Sequence, residues 1–337
     1  MKIALLNDTH FGVRNDSMIF DDFLHKFYKE VFFPYLEKHN IKTLIHLGDV
    51  VDRRKYINFR VADNFRKKFL NKLWDMKIDT HMLIGNHDIY FKNTNSVNSL
   101  QQLCTAPDGI NEPWIYEEPK VVNFDGLDIL MLPWINPENQ EQSFNMLNTA
   151  KADVCMAHLD LNGFYMHENI TQTHGYDKSI VKRFEKTISG HFHSKSDDGQ
   201  IFYLGAQYEM TWSDYGQTKY FHIFDTETRD MVFHRNPFRI FHMVAYDDVK
   251  NPDILEKINS TDYSKYKDCY VKIVCVNKNN PYAFDMMLDK LYKEQPADIS
   301  IVEDVNSFTD NNIDELVDEA QDTLTILDNY IQNLTLP

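Results

Sequence analysis

Residues 81–88 read HMLIGNHD, a short apolar run that passes directly into residue types that bind metals. The apolar runs at 3–6, 43–48, 153–157 and 186–190 are likewise followed by residue types that bind metals. Runs this short, rich in Ile, Leu and Val, predict buried β-strands. In open α/β sheets, ligands bind beyond the carboxyl ends of the strands. The pattern therefore predicts an α/β fold in which five strands deliver polar side chains to one site.

The residues that follow these strands combine carboxylate and amide oxygens with imidazole nitrogens. This donor set suits manganese, iron or zinc better than a thiolate site would. Seven ligands are too many for one open catalytic ion but fit two ions that share a carboxylate, and two-metal sites perform phosphoester displacement. The candidate metal ligands are Asp8, His10, Asp49, Asn86, His158, His191 and His193.

The five motifs differ in how specific they are. Asp8-x-His10 and Gly48-Asp49 are common strings, and each alone fits a surface acid or an ordinary buried histidine. Gly85-Asn86-His87-Asp88 and Gly190-His191-x-His193 are rarer, and two histidines two residues apart in an extended segment face the same side. The five strings together, in this order, argue for one shared site.

Composition describes a soluble globular protein with a net charge of −16 across 337 residues. No apolar run is long enough to span a membrane, and the N-terminus is predicted to be a first strand, not a signal peptide. The four cysteines show no disulfide framework, so we expect reduced thiols and a cytoplasmic location.

Charge is strongly segregated along the chain. Residues 53–72 hold eight Lys and Arg against one acid, whereas 310–328 hold seven acids and no base. Because Arg53, Arg54 and Lys55 directly follow the Asp49 loop, they are candidates for contact with DNA phosphates. The alternative is that the basic block is only the solvated face of a helix.

Periodicity predicts helices at 18–38 and 58–76, a hairpin around Asp125-Gly126, and a further β layer at 200–235. Near residue 236 the sequence pattern changes and predicts a smaller α/β unit, with strands at 269–276 and 298–302 and a helix between them. The last segment, about 310–335, has the apolar spacing of an amphipathic helix.

The ligand strings resemble those of the calcineurin-like metallophosphoesterases. Within that superfamily, Leu161-Asn-Gly-Phe-Tyr165 and Ser189-Gly-His-Phe-His193 are most similar to the SbcD, or Mre-eleven, nucleases of double-strand break repair, including phage recombination endonucleases. The resemblance implies a four-layer metallophosphoesterase β-sandwich flanked by helices, with a small α/β cap and a C-terminal helix. The domains would be a nuclease core (1–235), a DNA-binding cap (236–308) and a terminal helix (309–337).

The resemblance also implies two Mn²⁺ ions, or Mg²⁺ or other divalent ions, bridged by Asp49. Asp8, His10 and His193 would complete the first site, and Asn86, His158 and His191 the second. His87 would stabilise the transition state or protonate the leaving oxygen. Asp52 would be catalytic or would orient His87, and it leaves the exonuclease polarity open because some family members carry His at this position.

The same resemblance implies exonuclease action on duplex DNA, endonuclease action on single strands, and a role in recombination and repair. It also implies a homodimer and an SMC-like ABC ATPase (SbcC or Rad-fifty type) bound through the C-terminal helix. The alternative functions are a phosphatase that shares every ligand and a non-catalytic scaffold. The strings Gly48-Asp-Val-Val-Asp-Arg-Arg54 and Gly85-Asn-His-Asp88 depart from the serine/threonine phosphatase pattern, which favours the nuclease.

Overall fold

The computed structural model describes residues 1–106, 112–167 and 170–303, apart from the side chains of residues 167 and 170. The predicted terminal helix at 309–337 therefore lies outside the described residues. The chain forms two compact units. The first comprises Met1–Met210 and Gly216–Phe238, and the second comprises Thr211–Tyr215 and the chain from Arg239 onward.

The described strands, in chain order, are β1 Lys2–Leu6, β2 Thr43–His46, β3 Asp79–Leu83, β4 Trp114–Tyr116, β5 Lys120–Phe124, β6 Leu127–Leu132, β7 Val154–His158, β8 Tyr165–His167, β9 Ile170–Thr171, β10 Lys186–Gly190, β11 Ser196–Asp197, β12 Ile201–Tyr203, β13 Tyr220–Asp225, β14 Met231–Arg235, β15 Phe241–Asp247, β16 Tyr270–Asn277 and β17 Asp298–Val302. The five strands predicted to precede the ligands are β1, β2, β3, β7 and β10, and all five are confirmed.

The described helices are α1 (18–38), α2 (59–75), α3 Ser99–Leu103, α4 Gln140–Thr149, α5 Ile254–Ser260 and α6 Pro281–Lys293. Helices α1 and α2 each contain a π-helical turn, Tyr28–Phe32 and Phe65–Leu70 respectively. Short 3₁₀ turns occur at Lys178–Val181, Trp212–Asp214 and Ser264–Tyr266. The periodicity predictions for α1, α2 and α6 and the hairpin of β5 and β6 are confirmed.

Within the described residues, two six-stranded sheets form the first unit, in the orders β14-β13-β1-β2-β3-β4 and β11-β12-β10-β7-β6-β5. Strands β1, β2 and β3 run parallel in the first sheet, as do β6, β7, β10 and β12 in the second. The carboxyl ends of the ligand-bearing strands therefore lie at one edge of each sheet.

The core of this unit lies between the sheets, where apolar side chains of both face each other; they include Ile3, Leu5, Ile45, Leu83, Ile129, Met156 and Ile188. The outer face of the second sheet packs against α4 through Leu147 and Phe144. The first sheet is covered by an aromatic cluster from α1 and α2, in which Phe221 of β13 contacts Phe27 and Phe32. The order helix, sheet, sheet, helix is the predicted four-layer α/β architecture.

The second unit is a parallel sheet of β15, β16 and β17. Its core packs Tyr246, Ile273 and residues of α5 and α6 together. Strand β15 and helix α5 were not predicted. None of the described helices is long and apolar enough to cross a membrane.

Candidate metal centre

The seven predicted ligands converge where the carboxyl ends of the two sheets meet. Among the described residues, one potential ligand group consists of Asp8, His10 and His193, and a neighbouring one consists of Asp49, His158 and His191. Within each group, one donor atom per residue lies within 4.8 Å of the others. The ligands of β1, β2 and β3 thus meet those of β7 and β10, as the parallel strand order requires.

Asp49 lies between the two groups. One of its carboxylate oxygens, Oδ2, is 3.3 Å from His158 Nε2 and 3.8 Å from His10 Nε2. Its other oxygen, Oδ1, accepts a hydrogen bond of 2.7 Å from the backbone N–H of His87. A carboxylate held in this way can face both groups at once.

Asn86 completes the second group through its side-chain oxygen. This atom lies 3.1 Å from His158 Nε2 and 3.0 Å from His191 Nδ1. The opposite nitrogen of the first ring, His158 Nδ1, lies 2.7 Å from the carbonyl oxygen of Leu47, so it donates there. In the neutral ring this bond keeps the single proton on Nδ1, so that Nε2 can serve as a metal ligand.

Two imidazole nitrogens face each other in the first group, since His10 Nε2 and His193 Nε2 are 3.1 Å apart. Two nitrogen lone pairs at this distance repel unless a proton or a cation lies between them. Together with the carboxylate of Asp8, they form a donor set suited to a borderline divalent ion. The residues present therefore fit a metal at both groups.

Three glycines permit the close approach of the loops that carry the candidate ligands. A Cβ added at Gly48 would lie 2.5 Å from His158 Nδ1, and one at Gly190 would lie 2.7 Å from the carbonyl oxygen of Leu47. A Cβ at Gly85 would overlap the backbone nitrogen and carboxylate of Asp49. The glycines of the sequence motifs thus leave space for the ligands.

Four of the ligand residues have backbone conformations that only glycine adopts readily. The φ angles are 47° at Asp8, 41° at His10, 54° at Asp49 and 91° at His191. Each such residue costs roughly 1–3 kcal/mol and persists only where surrounding contacts hold it in place. Nine other described non-glycine residues also have positive φ, but four in one site are consistent with a preorganised metal centre.

The contacts that hold the Asp49 loop come from Asp88. Its carboxylate accepts hydrogen bonds from the backbone N–H groups of Asp49 (2.9 Å), Val50 (2.9 Å), Val51 (3.2 Å) and Gly85 (2.9 Å). Burial and the charge of Asp49 raise the pKa of Asp88 to about 7, against the effect of these bonds. The last residue of the GNHD string is thus a structural anchor, a role that its position did not reveal.

Asp8 is anchored by residues that the sequence did not single out. Asn7 Nδ2 donates to the carboxylate of Asp8 at 2.5 Å and to the carbonyl oxygen of Gly205 at 3.0 Å. Gln207 Nε2 in turn donates to the backbone oxygen of Asn7 at 2.6 Å. Asn7 adjoins a predicted ligand, so its anchoring role could have been inferred from the sequence. Gln207 is 200 residues away from Asn7, and no sequence motif marks it.

Asp52 and His87 are both next to the ligands. The carboxylate of Asp52 lies 3.3 Å from His10 Nδ1, while its backbone carbonyl accepts a hydrogen bond of 2.5 Å from His87 Nδ1. Asp52 therefore holds His87 through its main chain, and its side chain is directed to His10. The partly exposed ring of His87 lies 4.8 Å from that of His10 and keeps Nε2 available for a substrate.

The charges of the centre determine its protonation before any ion binds. Burial lowers the pKa of His10, but the hydrogen bond to Asp52 and the charge of Asp49 raise it overall to about 9. The pKa of His158 is likewise raised to about 9, because Asp49 outweighs burial. Although burial opposes it, the charge of His158 holds the pKa of Asp49 well below its usual value. Loss of hydration and the charge of His158 lower the pKa of His191 to about 3.

The three basic candidates differ in their surroundings. Arg53 forms an ion pair with Asp16, and Arg54 Nε donates to the carbonyl oxygen of Asn86 at 2.8 Å. Lys55 is exposed, 5.7 Å from the ring of Tyr90. Arg54 is thus tied to the loop of a candidate ligand, and Arg53 and Lys55 adjoin it in the chain.

Comparison with known proteins is consistent with this geometry. The calcineurin-like phosphoesterase family matches residues 1–195, more than half of the chain. A curated relative, exonuclease subunit 1 of Enterobacteria phage T4, is 28% identical over 332 residues, which cover 98% of this chain and 92% of the relative. A solved structure described as a novel archaeal phosphodiesterase is 17% identical, with a TM-score of 0.35, over 70% of this chain and 100% of that one.

Proposed function

Because the chain belongs to the calcineurin-like phosphoesterase family, we propose that it is a two-metal DNA nuclease. The observation that carries the proposal is the pair of adjacent ligand groups with Asp49 between them. Two such sites suit in-line displacement at phosphorus. The relative named as an exonuclease subunit, which aligns over nearly the full length, supports DNA as the substrate.

The first ion would be held by Asp8, His10, Asp49 and His193, and the second by Asp49, Asn86, His158 and His191. When bound, two divalent ions supply Lewis acidity and a water of lowered pKa. Mixed oxygen and imidazole donors favour manganese, with magnesium or other divalent ions as alternatives. The chain's own contribution is to fix these donors with buried hydrogen bonds and to keep His10 and His158 in the required orientation.

His87 would act on the substrate without holding an ion. Its Nδ1 donates to the carbonyl of Asp52, which leaves Nε2 for the substrate; in the imidazolium form of the ring, Nε2 can donate a hydrogen bond to a phosphate or a proton to the leaving oxygen. The contact between the Asp52 carboxylate and His10 supports a positioning role for Asp52. On this proposal Asp52 tunes the metal site and does not itself transfer a proton.

DNA would be bound by its phosphates at the basic segment beside the centre. Arg53, Arg54 and Lys55 border the loops of Asp49 and Asn86, as a phosphate-positioning group must. The cap at 236–308 would also bind DNA. Raised salt should weaken binding, because phosphate contacts release counterions.

We further propose that the chain works as part of a recombination and repair complex in the cytoplasm. The phage relative is named as a subunit, which supports the existence of a partner chain. The partner would be an SMC-like ABC ATPase bound by the segment 309–337, and the nuclease itself would pair as a homodimer. Deleting residues 310–337 should spare basal nuclease activity and abolish capture of the ATPase. A truncated chain that still captures it would refute this assignment.

The decisive experiment measures hydrolysis by the purified chain in manganese. The substrates are end-labelled duplex DNA, single-stranded DNA and p-nitrophenyl phosphate. The Asp49→Asn variant removes the bridging charge, and Asp63→Asn, which alters only an exposed ion pair with Lys67, is the matched control. DNA cleavage that is lost in Asp49→Asn but kept in Asp63→Asn supports the nuclease, and the labelled product reports polarity.

The alternatives give different results in the same assay. Release of nitrophenol with intact DNA would assign the chain to the phosphatases. Failure to bind manganese or to hydrolyse any substrate would favour a scaffold. Measuring the metal content of the purified protein separates the scaffold from both enzymes.

A further inference from the structure

Two loops beside the metal centre carry exposed aromatic rings. Tyr56 lies in the loop that follows Asp49, and its side chain is 65% exposed. Tyr90, 40% exposed, follows the GNHD string, and the ring of Phe91 packs edge-on against it at 4.6 Å. Exposed rings grouped on neighbouring loops form a surface patch of the kind that marks a binding site.

Tyr56 and Tyr90 line the same cleft, which has a volume of about 210 Å³. Its apolar lining includes Val51, Ile57 and Leu103, and its basic lining comes from Arg53, Arg54 and Lys55. An apolar slot with cationic walls suits a ligand that has a flat ring and an attached anion.

The cleft is joined to the metal centre by short hydrogen-bonded connections. Val51 donates its N–H to Asp88, the residue that also holds the Asp49 loop. Arg54 donates to the carbonyl of Asn86, a candidate ligand. Tyr90 follows His87 by three residues, and its N–H donates to the carbonyl oxygen of Val97 at 2.9 Å, which fixes its loop. These bonds tie the walls of the cleft to the loops of Asp49 and Asn86, which places the cleft beside the candidate metal centre.

Cations flank both rings. The guanidinium carbon of Arg53 lies 4.4 Å from the centroid of Tyr56, and Lys55 Nζ lies 5.7 Å from that of Tyr90. A cation over a ring face enhances stacking of a further π-system and can reach a phosphate at the same time. Alternating rings and cations are the chemistry by which proteins hold single-stranded nucleic acid.

We infer that this cleft binds an unpaired nucleobase next to the scissile phosphate, stacked between Tyr56 and Tyr90. The inference rests on the proposed nuclease function and specifies its substrate as a strand that is single or frayed at the site of cleavage. A base in a duplex is already stacked and paired, so it cannot enter. Because every base presents a π-face, the subsite selects unpaired strands without selecting sequence.

The test compares binding of two fluorescent single strands to the full chain, in chelator so that no cleavage occurs. One strand is a short oligothymidylate, and the other is an abasic strand of equal length and charge. The wild type should bind the oligothymidylate roughly tenfold more tightly or better, the lower part of the range that one stacked base provides. The double variant Tyr56→Leu/Tyr90→Leu should bind both strands equally, at the abasic level.

Two further variants make the test specific. Tyr56→Phe/Tyr90→Phe keeps the rings and should retain the preference, which excludes a role for the hydroxyl groups. Trp114→Leu removes another exposed ring at the first residue of β4, on the edge of the sheet away from the strand carboxyl ends, and should also retain it.

Equal binding of both strands by the wild type would overturn the inference, whether or not the protein cleaves DNA in manganese. So would a leucine variant that keeps the preference. If the leucine variant instead changes from dimer to monomer in sedimentation, the rings contact a second copy and the inference fails. Loss of the proposed nuclease function is scored separately, by cleavage in manganese.

Discussion

Replacing Asp52 by Asn tests whether this carboxylate tunes the metal site or takes part in the chemistry. The substitution keeps an oxygen that can accept from His10 Nδ1 at the present 3.3 Å, but it removes the negative charge. Mutating a residue that hydrogen-bonds to a metal ligand typically lowers metal affinity 10–100-fold, which corresponds to about 1.4–2.8 kcal/mol. Because both side chains are at least nine-tenths buried, water screens the pair little, and we expect the upper half of that range.

The assay is titration of manganese into the metal-free protein, followed by turnover of DNA at saturating manganese. Asp52→Asn should weaken binding at one of the two sites and leave turnover at saturation within a few-fold of the wild type. Asp63→Asn, an exposed acid on α2, controls for general loss of charge. A variant with unchanged metal affinity but turnover reduced 100-fold would refute the positioning role and make Asp52 a catalytic group.

Three other predictions concern the same centre. His87→Ala should keep both ions and lose roughly 10²–10⁴-fold in turnover, the usual worth of a general acid; unchanged turnover would remove His87 from the mechanism. Because the pKa values of His10 and His158 are raised to about 9, both rings are in the imidazolium form at pH 7, and a binding ion must displace one proton from each. Metal affinity should therefore rise with pH up to about 9, and calorimetry in buffers of different ionisation enthalpy should detect released protons; equal heats in all buffers would contradict this. Gly85→Ala should abolish metal binding because its Cβ overlaps the carboxylate of Asp49. Gly126→Ala is the control: nothing lies within 4 Å of the added atom, so metal affinity should be unchanged, and the positive φ should cost about 1 kcal/mol of stability. Equal metal affinity in the two variants would contradict the steric argument.

The sequence by itself determined most of the elements and the inventory of candidate metal ligands. An apolar run followed by Asp8, Asp49 or His158 is a local pattern, and the strand and the polar residue after it depend on neighbouring residues alone. Helices α1, α2 and α6 were predictable for the same reason, because their apolar faces repeat at the helical period. The parallel order of the strands then required their carboxyl ends to share an edge.

Only the tertiary structure decided how those residues interact. The pairing of Asp52 with His10, the anchoring of Asn7 by Gln207, and the bonds from Asp49, Val50 and Val51 to Asp88 join segments far apart in the chain. The left-handed backbone of the ligand residues also depends on these contacts, since it is unfavourable in an isolated segment. Such features are products of tertiary packing around buried charges, and no local sequence pattern encodes them.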